Sequence, residues 1–138
     1  MYANRIELIF DAGHRLLMYK GKCEAPHGHT FKAEIVLSSD KIDQTGFVVD
    51  FFELRDRVGK WIDDNWDHTF LVNGRDTELL RALDSLKDKK VFTFQDENPT
   101  AEVMAKYLYS YVRGLYGSLV LKVRIWESPN AYGEYSEG

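Results

Sequence analysis

The chain has 138 residues, of which 44% are hydrophobic, 14% aromatic and 29% charged; this is the composition of one folded domain and not of a disordered or low-complexity segment. With 18 basic and 22 acidic side chains the net charge is −4. Nothing more basic than Lys87 to Lys90 interrupts the mixture, which argues against a nucleic-acid partner or an anionic-membrane surface. The first ten residues alternate polar and apolar instead of forming a hydrophobic block, and no stretch approaches the roughly 18 apolar residues of a membrane span. The single cysteine, Cys23, forms no internal disulfide, so a reducing, cytoplasmic location is expected.

In chain order, Ile6, Leu8, Phe10 and Ala12 alternate as in a half-buried strand, and Phe31, Ala33, Ile35 and Leu37 repeat the pattern. Between them lies a long loop, Gly13 to Gly28, in and beside which His14, Cys23, His27 and His29 crowd; loops of that length are usually functional. Asp50, followed by Glu53, is set to cap a helix carrying Phe51, Leu54, Val58, Trp61 and Ile62 at helical spacing. Thr77 to Leu86 reads as a second helix and Val91 to Phe94 as a short strand. Asn98 and Pro99 are read as the cap and first turn of a third helix, with Val103, Met104, Tyr107, Leu108, Tyr111, Val112 and Leu115 on one face and a stop near Gly117. Leu119 to Ile125 alternates again, and Tyr132 to Tyr135 is placed to pair with it. The order strand-strand-helices-strand-strand predicts a single α+β domain over residues 1–138, with a four-stranded antiparallel sheet and helices packed on one face.

The chemistry-bearing residues are few. His27-Gly28-His29 places two imidazoles on the same side of an extended segment, and Gly28 keeps the space between them clear. His14 stands just past the end of the neighbouring strand, so three imidazoles can converge. Three neutral nitrogen donors with an open fourth position suit catalytic zinc. A His-x-His pair also occurs as a plain hydrogen-bonded surface pair. Cys23, close to Lys20, Lys22 and the histidines, is a candidate thiolate base or nucleophile, against the alternative of a small buried hydrophobe. In Asp67-His68 the carboxylate can orient an imidazole for proton transfer. Glu127 ends an apolar strand beside Trp126; a carboxylate there either sits in an aromatic pocket or is simply solvated.

Taken together and in order, Phe10-Asp11-Ala12-Gly13-His14, Cys23-Glu24-Ala25-Pro26-His27-Gly28-His29, Gly46 to Phe51, Trp66-Asp67-His68 with Leu71 and Asn73, Pro99-Thr100-Ala101-Glu102 and Trp126-Glu127-Ser128 resemble the 6-pyruvoyl-tetrahydropterin synthase and 6-carboxy-tetrahydropterin synthase family. The resemblance runs from about Ile6 to Tyr135. It implies a tunnelling fold, a homo-oligomer built as a hexamer of two trimers, and a pterin triphosphate substrate. It also implies Zn2+ on His14, His27 and His29, Cys23 as the proton-abstracting thiolate, Asp67 and His68 as its relay, and Glu127 as the anchor of the pterin ring, with Thr100 and Glu24 as further substrate contacts. The departures are mild: Gly13 stands where alanine is usual, Trp66 where leucine is, and Ser128 where threonine is. None removes a catalytic group.

Within that family, three residues between the cysteine and His-Gly-His resemble the carboxy-product enzymes. The expected activity is 6-carboxy-5,6,7,8-tetrahydropterin synthase, converting 7,8-dihydroneopterin triphosphate for queuosine biosynthesis. A 6-pyruvoyl product is one alternative. Another is a dual enzyme that also forms 6-hydroxymethyl-dihydropterin for folate synthesis, since Glu24 stands where a folate-type branch carries a catalytic glutamate. A reading from a different class is a non-catalytic, zinc-stabilised binding module closed by a fourth protein ligand, for which Cys23 is the candidate.

Overall fold

The computed structural model describes all 138 residues. Six strands, β1 (Tyr2–His14), β2 (His27–Ser39), β3 (Thr69–Asn73), β4 (Val91–Phe94), β5 (Val120–Ser128) and β6 (Ala131–Tyr135), form one sheet in the order β4-β3-β1-β2-β5-β6. Three helices, α1 (Phe51–Asn65), α2 (Thr77–Asp84) and α3 (Ala101–Tyr116), complete an α+β fold. The antiparallel neighbours β1, β2, β5 and β6 are those expected. The strand count is corrected from four to six, and the sheet is mixed, because β3 and β4 add in parallel beside β1. β3 carries no alternation because both its faces are covered. Leu71 belongs to the main core while its neighbour Val72 lies under Leu79 and Leu83 of α2.

One face of the sheet presents Ile6, Phe10, Phe31, Ile35, Val123 and Ile125 to α1 and α3. Each such side chain, fully buried, contributes about 1.5–3 kcal/mol. α2 covers Phe70, Val72 and Val91 at the β3–β4 edge, on the side of the sheet away from Leu71. α1 starts where its sequence says: the Asp50 carboxylate accepts from the Phe52 N–H at 2.8 Å, and Leu54, Val58 and Ile62 turn inward. α3 starts two residues later than the sequence suggests, since Thr100 is the cap and accepts from the Val103 N–H at 3.2 Å. It ends on Gly117 at φ 60°, a left-handed conformation that favours glycine.

The largest difference for the site is strand length. β1 runs on to His14 and β2 begins at His27, with His14 opposite His27 and Ala12 opposite His29. The histidines therefore lie on paired strands, and the connecting loop shrinks to residues 15–26.

Candidate active site

Side chains two apart on a strand share a face. Along β1, His14 follows Phe10 and Ala12 on the side of α1 and α3; along β2, His27 and His29 lead into Phe31 on that same side. Ring centroids are 4.7 Å apart for His14 and His27, 5.2 Å for His14 and His29, and 4.8 Å for His27 and His29. Backbone carbonyls orient two of the rings: Nδ1 of His14 lies 2.7 Å from the Pro99 oxygen, and Nδ1 of His27 lies 2.7 Å from that of Ala25. A carbonyl only accepts, so each Nδ1 carries the proton and each Nε2 presents a lone pair.

All three Nε2 atoms are buried without a hydrogen-bond partner. An unpaired buried polar atom costs about 1–3 kcal/mol, and three sharing one point call for a common partner. Glu127 of β5 completes the group. Its Oε1 lies 2.7 Å from His29 Nε2 and 3.7 Å from His14 Nε2, and the four candidate ligand atoms all fall within 4.8 Å of one another. The 2.7 Å contact does not count as a hydrogen bond, and His29 Nε2 stays unpartnered. Burial, supported by the neighbouring imidazoles and opposed by Pro99 and Glu127, holds the His14 pKa below the ordinary imidazole value, and burial likewise lowers that of His29. Neutral nitrogen donors with a carboxylate nearby are a donor set compatible with zinc. The fourth member of the cluster is Glu127, which corrects the expectation that Cys23 is the candidate to close the site.

Asp67 and His68 sit between α1 and β3. The Asp67 carboxylate accepts the Asp11 N–H at Oδ1, 3.0 Å, and its Oδ2 lies 3.0 Å from His68 Nδ1. Burial raises the Asp67 pKa, but the Asp11 N–H, the His68 imidazole and Lys90 outweigh it and leave the group below the usual carboxylate value. Lys90 Nζ donates to the carbonyl oxygens of Asp63 and Asp67, tying the turn to the end of α1. His68 has φ 54°, and its exposed ring shares an open cleft of about 720 Å³ with His27, His29, Phe70, Leu86 and Lys90.

Cys23 lies in a one-turn 3-10 helix, Lys22–Glu24, and is partly buried. Its carbonyl accepts the Leu16 N–H at 2.9 Å. Glu24, on the same turn, lines a separate groove with Arg15, Leu17 and Tyr19. The Thr100 hydroxyl serves as the α3 cap. Two residues beside the site have no site role in the reading of the sequence. Pro99 reads as a helix-start proline, yet its carbonyl orients His14; Asn98 reads as a helix cap, yet its side-chain amide grips Leu17 through two bonds of 2.8 Å.

Residues 5–138 match the family model for 6-pyruvoyl tetrahydropterin synthase. The chain belongs to that family. It is 36% identical over 134 residues to a 6-carboxy-5,6,7,8-tetrahydropterin synthase of Rickettsia conorii, an alignment covering 94% of this chain and 95% of the relative. It is 32% identical over 138 residues to the enzyme of that name from Haemophilus influenzae, covering 95% of this chain and 96% of that one. Among solved structures, an uncharacterised protein of Wolinella succinogenes superposes with a TM-score of 0.83 at 20% identity, over 99% of this chain and 98% of the other. The 6-pyruvoyl tetrahydropterin synthase of Caenorhabditis elegans superposes with a TM-score of 0.69 at 24% identity, over 100% and 98%. The tetrahydropterin synthase family is thus a family of enzymes that shares the tunnelling fold described above, and no helix of this member is long and apolar enough to cross a membrane.

Proposed function

We propose that the chain is a zinc-dependent 6-carboxy-5,6,7,8-tetrahydropterin synthase. It converts 7,8-dihydroneopterin triphosphate and one water to 6-carboxytetrahydropterin, acetaldehyde and triphosphate, on the route to queuosine. The observation that carries the reading is the convergence of three buried, unpartnered Nε2 atoms, of His14 at the end of β1 and of His27 and His29 at the start of β2, on the two strands that the Cys23-Glu24-Ala25-Pro26 loop connects. Relatives named for the carboxy product at 36% and 32% identity support it further.

His14, His27 and His29 would hold the zinc, which when bound would supply Lewis-acid polarisation and so make the substrate side chain more acidic. Cys23, as thiolate, takes a proton from the substrate side chain. His68 moves the second proton, its Nδ1 held by Asp67, which leaves Nε2 for the transfer. Glu127 anchors the pterin ring. Its Oε1 is turned toward the histidines while Oε2 makes no hydrogen bond within the chain and accepts from the ring's N–H donors. The expected hexamer of two trimers belongs to the same reading, and the sheet's two edges, β4 and β6, offer unpaired backbone to neighbouring chains.

The dual reading rests on Glu24, which shares a turn with Cys23 but faces the groove of Arg15, Leu17 and Tyr19. One experiment tests both. Zinc-loaded protein is incubated with dihydroneopterin triphosphate beside Cys23→Ala and Glu24→Gln variants, and products are identified by mass. The parent is expected to yield 6-carboxytetrahydropterin and acetaldehyde, and Cys23→Ala little of either. A predominant 6-pyruvoyl or 6-hydroxymethyl product overturns the assignment, and loss of the hydroxymethyl product in Glu24→Gln alone establishes dual activity. Tight zinc binding without any turnover returns the protein to the binding-module reading.

A further inference from the structure

The turn that carries Cys23 cannot hold itself. It spans three residues, contains no buried side chain, and sits in the middle of the loop joining β1 to β2. The backbone bond from Leu16 N–H to the Cys23 carbonyl at 2.9 Å ties it to the start of that loop, just after β1. That bond positions Cys23 only as well as Leu16 is itself positioned, and Leu16 is fixed from both sides.

On one side, the Arg15 guanidinium makes a two-pronged pair with Asp76, Nε to Oδ2 at 2.6 Å and Nη2 to Oδ1 at 2.5 Å. On the other side, Asn98 grips Leu17 as a strand neighbour grips a residue, by both backbone groups: the Leu17 N–H donates to Oδ1 at 2.8 Å, and Nδ2 donates to the Leu17 carbonyl at 2.8 Å. Oδ1 also accepts from Nδ2 of Asn73, a buried residue at the end of β3. The next residue, Pro99, supplies the carbonyl that orients His14. The histidine cluster and the thiol-bearing turn are therefore both referenced to one dipeptide at the start of α3.

We propose that Asn98 is a positioning residue for Cys23, holding Leu17 so that the Leu16 to Cys23 bond keeps the thiol in register with the histidine cluster. The inference rests on the reading of Cys23 as the base. Only a side chain with a donor and an acceptor at this length makes both bonds. Alanine makes neither, and aspartate keeps the bond from Leu17 N–H but sets a carboxylate against the Leu17 carbonyl. Displacing a reacting group by about 1 Å costs on the order of 100-fold in rate. Because Asn98 belongs neither to the histidine cluster nor to the lining of the cleft, the loss falls on kcat.

The test compares zinc-loaded parent, Asn98→Ala and Asn98→Asp in three measurements: kcat and KM with dihydroneopterin triphosphate, zinc per chain after passage over a chelating resin, and amide hydrogen exchange. In both variants kcat is expected to fall at least about tenfold with KM within about threefold. Zinc is retained, and the Leu16 and Leu17 amides exchange faster while those of α3 do not change. An unchanged kcat overturns the proposal. A fall in kcat accompanied by zinc loss or by faster exchange throughout α3 also overturns it, because Asn98 then serves the metal site or the fold. If Asn98→Ala does not fold, Asn98→Asp, of equal size, decides by the same criteria. If the parent has no activity on this substrate, the proposed function falls, while the exchange of Leu16 and Leu17 still decides whether Asn98 holds the segment.

Discussion

Gly133 of β6 connects the edge of the sheet to the histidine cluster through α3, and replacing it with alanine perturbs both. An added Cβ would lie 2.5 Å from the Glu102 nitrogen and 2.8 Å from the Ala101 carbonyl carbon, both backbone atoms of the first turn of α3. A side-chain tip could rotate away; a helix backbone cannot, so either β6 or the start of α3 must shift. Overpacking of this kind costs about 1–3 kcal/mol, partly offset by about 0.5 kcal/mol from the stiffer unfolded chain. The net loss of about 0.5–2.5 kcal/mol corresponds to a fall in Tm of about 2–8 °C for a chain of this size. The same shift moves Thr100 and Pro99, and hence the carbonyl 2.7 Å from His14 Nδ1. Loss of such an orienting partner weakens metal binding on the order of 10–100-fold. Thermal unfolding of the metal-free protein reads the first effect, and competition against a chromophoric zinc chelator reads the second. A Gly133→Ala protein with Tm within 1 °C of the parent refutes the packing argument. A lowered Tm with unaltered zinc affinity refutes the coupling of β6 to His14.

Three other outcomes follow from the geometry. Because burial holds His14 and His29 below the ordinary value of 6.5, the unfolded chain binds more protons below that pH. The stability of the metal-free protein is therefore full above about pH 6.5 and is lost as pH falls through the folded-state values. Urea titrations between pH 7.5 and 5 should show this slope, and His14→Gln should flatten it; equal slopes refute the assignment. Asp76→Asn removes one partner of a buried pair and weakens the cap of α2, where the carboxylate accepts from Leu79 N–H at 3.1 Å; a cost of about 3 kcal/mol in urea unfolding is expected, and less than about 1 kcal/mol contradicts it. Asp67→Asn turns an acceptor toward His68 into a potential donor. It should lower kcat on the order of 100-fold or more with KM nearly unchanged, and a kcat within a few-fold of the parent's removes Asp67 from the relay.

How much was legible in the chain depends on how local each cause is. The alternation of Ile6, Phe10, Phe31 and Ile35 and the helical repeat of Leu54, Val58 and Ile62 reflect burial of a single face, which shows as a period in the letters; those elements form as read. β3 shows no period because Leu71 and Val72 are buried on opposite faces by elements distant in sequence. His14, His27 and His29 are recognisable as a ligand set because their type and spacing are themselves the chemistry, and the order of the motifs around them identifies the family.

Four relations had to wait for the tertiary structure. They are the exact pairing of His14 with His27, the arrival of Glu127 as the fourth group, the carbonyl of Pro99 behind His14, and the grip of Asn98 on Leu17. Each joins residues across strand pairs or across gaps of tens of positions, and two of them use backbone atoms that every residue type possesses. Residue identity states what a side chain can do at its own position; which distant carbonyl or carboxylate it meets is decided only when the sheet closes and α3 docks against it.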